Sequence, residues 1–223
     1  MSKYMIHAVP KRMWYVNEFL IPSMLKQGIS DVDIKIHCDT LHEGNLKSCM
    51  SAFKEVDTTA EGTWHIQDDV IISHDFKEQT ELHDTGIVCG FKSRYDGNRR
   101  GGQVSIKDMW FSFPCIRIPN NIAIACAEWT LQYIIGNRVY TSWWQSGTND
   151  DLIFKQYLKN YHKNEIILNL VPNIVDHVDY LLGGSVNGTK RSQVKVRSMH
   201  WQDEYLVTEL ENMLYNKTVD KGD

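Results

Sequence analysis

No stretch of this chain stays apolar for the length a membrane span needs, and Met1 to Arg12 lacks the apolar centre of a secretion signal. A protein without a membrane span, working in the cytoplasm, is therefore expected. No G-x-G-x-x-G follows the first strand-like run, and G-x-x-x-x-G-K-[ST] occurs nowhere, which sets aside dinucleotide oxidoreductases and P-loop enzymes. The five cysteines (Cys38, Cys49, Cys89, Cys115, Cys126) are odd in number and form no C-x-x-C pair. A disulfide framework and a zinc knuckle are both excluded on that count, leaving reduced, mostly buried thiols. Charge of one sign is also missing. With a net charge of −4 the chain has no global pull toward nucleic acid or anionic membrane. There is no internal repeat and no low-complexity segment.

What is present suits one core. At 223 residues, 42% hydrophobic and 23% charged, the composition is that of a globular protein with no break suggesting a second domain. One domain over residues 1–215 is expected, followed by a flexible tail at 216–223.

The periodicities alternate. Tyr4 to Val9 reads as a strand ended by Pro10, and Met13, Val16, Leu20 and Met24 recur at helical spacing, with Pro22 marking a kink or restart and Gly28 a stop. Val32 to Cys38 alternates as a second strand, ending at Asp39. Leu46, Cys49, Met50 and Phe53 mark one face of a short helix, and Trp64 and Ile66 lie on a third strand that runs into Gln67-Asp68-Asp69. Strand, helix, strand, helix, strand builds a Rossmann-type sheet, whose ligands bind outside the carboxyl ends of the strands. Pro10, Asp39 and Asp68-Asp69 all fall at such ends. Farther on, helices are predicted from Pro119-Asn120-Asn121 and from Thr148-Asn149-Asp150-Asp151, a strand over Ile166 to Leu170, and a last amphipathic helix through Leu206, Leu210 and Met213.

Asp68-Asp69 carries the chemistry. Two adjacent carboxylates stay ionised together most easily when a cation sits beside them, and an oxygen-only site suits Mg²⁺ or Mn²⁺. Asp150 and Asp151 open a helix, where they cap it or, if that end faces the pocket, serve as a general base. His177 lies in an apolar setting typical of a hydrogen-bonded core histidine. Two basic clusters, Lys92 to Lys107 around Gly97, Gly101 and Gly102, and Lys190 to Arg197, would suit a diphosphate or a phosphodiester backbone. Trp143-Trp144 is an aromatic pair of the kind that caps rings.

In their order these features resemble a sugar-nucleotide glycosyltransferase of the GT-A type. Val9-Pro10-Lys11-Arg12 after the first strand is similar to the start of such enzymes. Trp64-His65-Ile66-Gln67-Asp68-Asp69-Val70 resembles the lipooligosaccharide-type version of their D-x-D motif, with Gln67 where the family usually has an acid. Pro172-Asn173-Ile174-Val175-Asp176-His177, followed by Gly183-Gly184-Ser185, looks like their late segment. The resemblance implies a single-domain GT-A-like Rossmann-type mixed α/β sheet flanked by helices. It implies a nucleoside-diphosphate sugar donor, such as a UDP-sugar, and a divalent metal (Mn²⁺ or Mg²⁺) held by Asp69 and His177. Pro10, Arg12, Asp39, Lys47 and Asp68 would line the nucleotide pocket, and Asp151 or Asp150 would be the acceptor base. Small enzymes of this style resemble phage transferases that modify hydroxymethylated DNA bases in the host cytoplasm, so the acceptor is such a base or a saccharide. Two alternatives stand beside this: a metal-dependent hydrolase using Asp68, Asp69, His74 and Asp75, with His83 and Asp84, and a non-catalytic relative that binds the nucleotide sugar.

Overall fold

A computed structural model describes residues 2–92, 102–105, 113–135, 150–183, 201 and 203–219. Strand β1 (Lys3–Ala8) pairs in parallel with β2 (Ile34–Cys38) on one side and β3 (Gly62–Gln67) on the other. Antiparallel β7 (Cys115–Pro119) then joins β3 to β5 (Ile87–Cys89), which is parallel to β8 (Ile166–Asn169), and β6 (Gly102–Ser105) closes the far edge. The result is a seven-stranded mixed sheet in the order β2-β1-β3-β7-β5-β8-β6. Short β4 (Val70–Ile72) leaves it and pairs antiparallel with β9 (Val175–His177) as a separate ribbon.

Helices cover both faces, which is why successive strand residues are apolar on both phases. Tyr4, Ile6 and Ala8 of β1, with Trp64 and Ile66 of β3, pack into one core. That core is completed by α1 (Met13–Tyr15), the segment Val16–Leu20, α2 (Ile21–Lys26), Phe76 of α4 (Phe76–Leu82) and Leu210 of α7 (Glu204–Val219). Ile116 and Ile118 of β7 with Ile87 and Cys89 of β5 point the other way. They meet α3 (Asn45–Lys54), α5 (Asn120–Trp129) and α6 (Asp150–Tyr161). Each fully buried large apolar side chain contributes roughly 1.5–3 kcal/mol to holding the layers together.

Three local features differ from, or refine, the periodicity. The second strand begins at Ile34, not Val32: Asp31–Asp33 is a 3₁₀ turn, Asp33 receives Lys3 Nζ at 2.7 Å, and Val32 is 83% exposed. The ion pair and turn override an alternation that looked continuous. The restart expected at Pro22 is a π-helical turn over Val16–Leu20, in which Ile21 N–H reaches five residues back to Val16 O. Pro22 has no N–H to continue the ladder, so the preceding turn widens. Helix α7 runs through Val219, past residue 216 where a tail was expected. Gly62 is required by close approach: a Cβ there would lie 2.7 Å from the guanidinium of Arg117, itself buried against Asp84 and the carbonyl of Gly86.

Among the described residues no helix is long and apolar enough to cross a membrane. All five cysteines are free thiols, and four are buried.

Candidate active site

The carboxyl ends of β1, β2 and β3 open on one cleft of about 220 Å³. Beyond β1 the chain turns through Pro10–Arg12, and beyond β3 it turns at Asp68-Asp69 into β4. The two turns are locked together. Val9 N–H donates to Asp68 Oδ2 at 2.7 Å, and Arg12 Nη1 donates to Asp68 Oδ1 at 3.0 Å and to Asp69 Oδ2 at 2.5 Å. Pairing of β4 with β9 sets His177 opposite Val70, and Val178 N–H binds Asp69 O at 2.8 Å. His177 Nε2 thereby reaches Asp69 Oδ2 at 3.1 Å, with Asp179 Oδ1 3.7 Å from its other nitrogen. Helix α6 packs against α3 and α5 and presents Asp150, at its first position, to the same cleft beside Cys49.

The electrostatics give the two adjacent acids opposite characters. Burial raises Asp68, and the Asp69 charge adds to it, against Arg12 and the Val9 amide. Burial also acts on Asp69, but the charges of His177 and Arg12 outweigh it and hold this carboxyl well below the usual range. Burial alone would lower His177; the Asp69 carboxylate overrides it and lifts the imidazole to about 9. Burial first and the Asp151 charge second push Asp150 up to about 7. A carboxyl poised there is matched to general-base work near neutral pH.

Of the residues singled out from sequence, Arg12, Asp39, Asp68, Asp69, Asp150 and His177 line this one cleft. Pro10 begins the turn that carries Arg12, but is exposed and does not line the cleft. Lys47 is on the exposed side of α3, and Asp151 lies one residue beyond the cleft, its Oδ1 accepting Leu152 N–H. Asp39 braces the approach to α3 by accepting Glu43 N–H and Gly44 N–H, with Gly44 at φ +88°. The aromatic pair Trp143-Trp144 and the basic residues Arg94, Arg99, Arg100, Lys107, Lys190, Arg191, Lys195 and Arg197 lie outside the described residues. Lys92 is described and buried, its N–H donating to Asn173 Oδ1 at 3.0 Å.

The hydrolase cluster is not assembled. His74 binds Asp203, Asp75 accepts from Ser73 and Gln79, and both line a different cleft beside α7. Asp84 is committed to Arg117. Asp68 and Asp69 are turned toward Arg12 and His177 instead, because β4 carries the chain away between the two groups.

Sequence reasoning missed the cleft floor. His7 Nε2 and His65 Nδ1 are 2.8 Å apart, and Phe53 meets the His65 ring edge-on at 4.7 Å. Burial, then the charge of His37, lowers His7 to about 3, and burial also holds His65 well below its ordinary value, so both are neutral. The available signal was phase: His7 and His65 occupy the polar positions of neighbouring strands in a sheet covered on both faces, which buries His65 and half-buries His7.

Among the described residues no three His, Cys, Asp or Glu side chains form a metal cluster. Mg²⁺ and Mn²⁺, however, are commonly held by one or two protein groups, with substrate phosphates and water completing the shell. Asp69 Oδ1 is buried and has no hydrogen-bond partner among the described residues, and His177 stands beside it. Asp69 fits such an ion through Oδ1, and His177, which carries a proton between Asp69 and Asp179, joins the shell only by releasing it; both oxygens of Asp68 are already engaged.

No protein-family model and no curated protein matches the chain. Solved structures similar to it include Staphylococcus aureus TarS in complex with UDP, with 14% identity, coverage of 77% of this chain and 61% of that one, and a TM-score of 0.46. Another is a glycosyltransferase involved in glycosylation of the major capsid of PBCV-1, with 9% identity, coverage of 86% and 96%, and a TM-score of 0.47. A third is 4-diphosphocytidyl-2C-methyl-D-erythritol synthase from Anaerococcus prevotii, with 10% identity, coverage of 76% and 88%, and a TM-score of 0.43. With every one of these scores below 0.5, the functional reading rests on the cleft.

Proposed function

We propose that the chain, over residues 1–215, is a glycosyltransferase acting in the cytoplasm that moves a sugar from a nucleoside-diphosphate sugar to an acceptor hydroxyl. The observation that carries this is the convergence of Asp69, His177 and Asp150 in one cleft at the carboxyl ends of three parallel strands. The cleft's charge supports a metal-diphosphate complex over a bare anion. Asp39, Asp68, Asp69, Asp150 and Asp179 line it against Arg12 and His177, so a diphosphate arriving alone would meet excess negative charge.

In this reading Asp69, with His177 once it has released its proton, would hold the divalent ion, which when bound neutralises charge developing on the leaving diphosphate. Arg12 supplies the fixed positive charge of the protein itself at that place. Asp39 and Asp68 shape the nucleotide side, with Pro10 and Lys47 at its outer margin. Asp150 accepts the proton of the acceptor hydroxyl as its oxygen attacks the anomeric carbon and the bond from that carbon to the diphosphate oxygen breaks. The acceptor is proposed as a saccharide or a hydroxymethylated DNA base.

The test is a thermal-shift screen of nucleoside diphosphates and their sugars with and without Mn²⁺, paired with donor-sugar turnover by Asp69→Asn. A ligand at about 100 times its Kd adds roughly 2.7 kcal/mol of stability. Stabilisation that needs nucleotide and metal together, with turnover lost in Asp69→Asn, is expected. No shift with any nucleotide would remove the proposal, and unchanged turnover would remove Asp69 from the metal.

A further inference from the structure

The acidic pair already has a cation. Arg12, 4% exposed, bridges Asp68 Oδ1 and Asp69 Oδ2 through a single nitrogen, and His177 Nε2 shares the same Asp69 oxygen. Asp69 Oδ1 is the one oxygen of the pair without a partner among the described residues, and it is buried. A divalent ion approaching Asp69 therefore meets a guanidinium seated where its own charge should go, and the two repel. Asp68 cannot take the ion in Arg12's place, since its other oxygen holds the Val9 amide.

Resting on the donor site proposed above, we propose that Arg12 is a built-in counter-ion that makes divalent-cation binding conditional on the diphosphate. In the nucleotide-free protein Arg12 occupies the acidic pair. A diphosphate gives the guanidinium a second anionic partner with the planar, two-pronged geometry it prefers. The phosphates of an arriving metal–diphosphate pair draw Arg12 off Asp69, whose oxygens would then be open to hold the ion. Metal and nucleotide then bind as a coupled pair, each raising the affinity of the other by the same factor. The Pro10–Arg12 turn suits this exchange: the Asp68–Val9 bond pins its start, so only the Arg12 side chain has to move.

The experiment measures Mn²⁺ binding by loss of the free-ion electron paramagnetic resonance signal, with and without UDP, for the wild type, Arg12→Gln and Arg12→Lys. UDP should tighten Mn²⁺ binding to the wild type at least about tenfold, within the usual range of coupling between sites. Arg12→Gln should bind Mn²⁺ without UDP at least about tenfold more tightly than the wild type does, and gain less from UDP. Arg12→Lys keeps the charge, reaches the two carboxylates less well, and should fall between. It serves as the informative variant if Arg12→Gln fails to fold by circular dichroism. Equal Mn²⁺ affinity in the wild type and the folded variants without UDP, or no Mn²⁺ binding by any of them, overturns the counter-ion. Failure of the donor reading looks different: UDP and the other diphosphates leave the wild-type melting temperature unmoved at every Mn²⁺ concentration, whatever the variants do.

Discussion

Replacing Asp150 by Asn should make the protein more stable while disabling it. Asp150 is 9% exposed, and burial followed by the Asp151 charge raises its carboxyl from 3.8 to about 7. An acid raised on folding binds its proton more tightly in the native state than in the unfolded one. Between the two values the unfolded chain gains by ionising and the folded chain does not, so stability falls as pH rises through that window. With each unit worth about 1.4 kcal/mol, the cost approaches about 4 kcal/mol above pH 7 and is about half that near pH 5.5. Asn is isosteric, cannot ionise, and keeps the oxygen that accepts Asp151 N–H at 3.1 Å. Urea denaturation near pH 5.5 and near pH 8.5 should therefore show Asp150→Asn more stable than the wild type at both, with the gap widening by about 2 kcal/mol at the higher pH. Turnover of the variant should drop by about 10²–10⁴-fold if Asp150 is the base. A gap that does not widen, or a variant less stable at high pH, would refute the buried-acid reasoning.

Other substitutions test the frame around the cleft. Gly62→Ala puts a methyl 2.7 Å from the buried Arg117 guanidinium and should cost about 1–3 kcal/mol in denaturant unfolding. Phe53→Ala removes a fully buried ring that touches His65, Phe113 and Phe154, and should cost about 3–5 kcal/mol by the same measurement. Asp203→Asn weakens the contact of the chain before α7 with His74 N–H and Nδ1, and should speed amide exchange in α7 while leaving β1 and β3 protected. In the wild type Asp203 raises His74, so that contact is complete below about pH 6.5 and weakens as pH rises through the higher folded value; exchange in α7 should quicken over the same range.

The alternation of Tyr4, Ile6 and Ala8, of Trp64 and Ile66, and the helical spacing of Leu46, Cys49, Met50 and Phe53 make the β1–α3–β3 core legible in the sequence alone. The same reading placed Asp39 and Asp68-Asp69 at the ends of strands, because a strand's end is a local property. What it could not supply was partners. It expected a cation beside Asp68-Asp69 without seeing that Arg12, 56 positions earlier, provides one. It read His177 from its apolar setting as a core histidine and set it with Asp69 only through the resemblance, since the contact itself comes from the β4–β9 pairing. The choice between Asp150 and Asp151 depended on which side of α6 packs on α3, a fact of tertiary contact. Val32 misled for the opposite reason: its local pattern was good, and the Lys3–Asp33 pair overrode it.

The cleft collects its charged groups from positions 12, 68, 69, 150 and 177. Loop closures spanning most of the chain must all be complete before those groups stand together, so the site belongs to the late, non-local part of folding. No fragment ending before β9 can reproduce it, since His177 reaches Asp69 only through the β4–β9 ribbon. A nucleotide that binds here therefore reports on nearly the whole chain at once, and its binding can serve as an assay of complete folding as well as of chemistry.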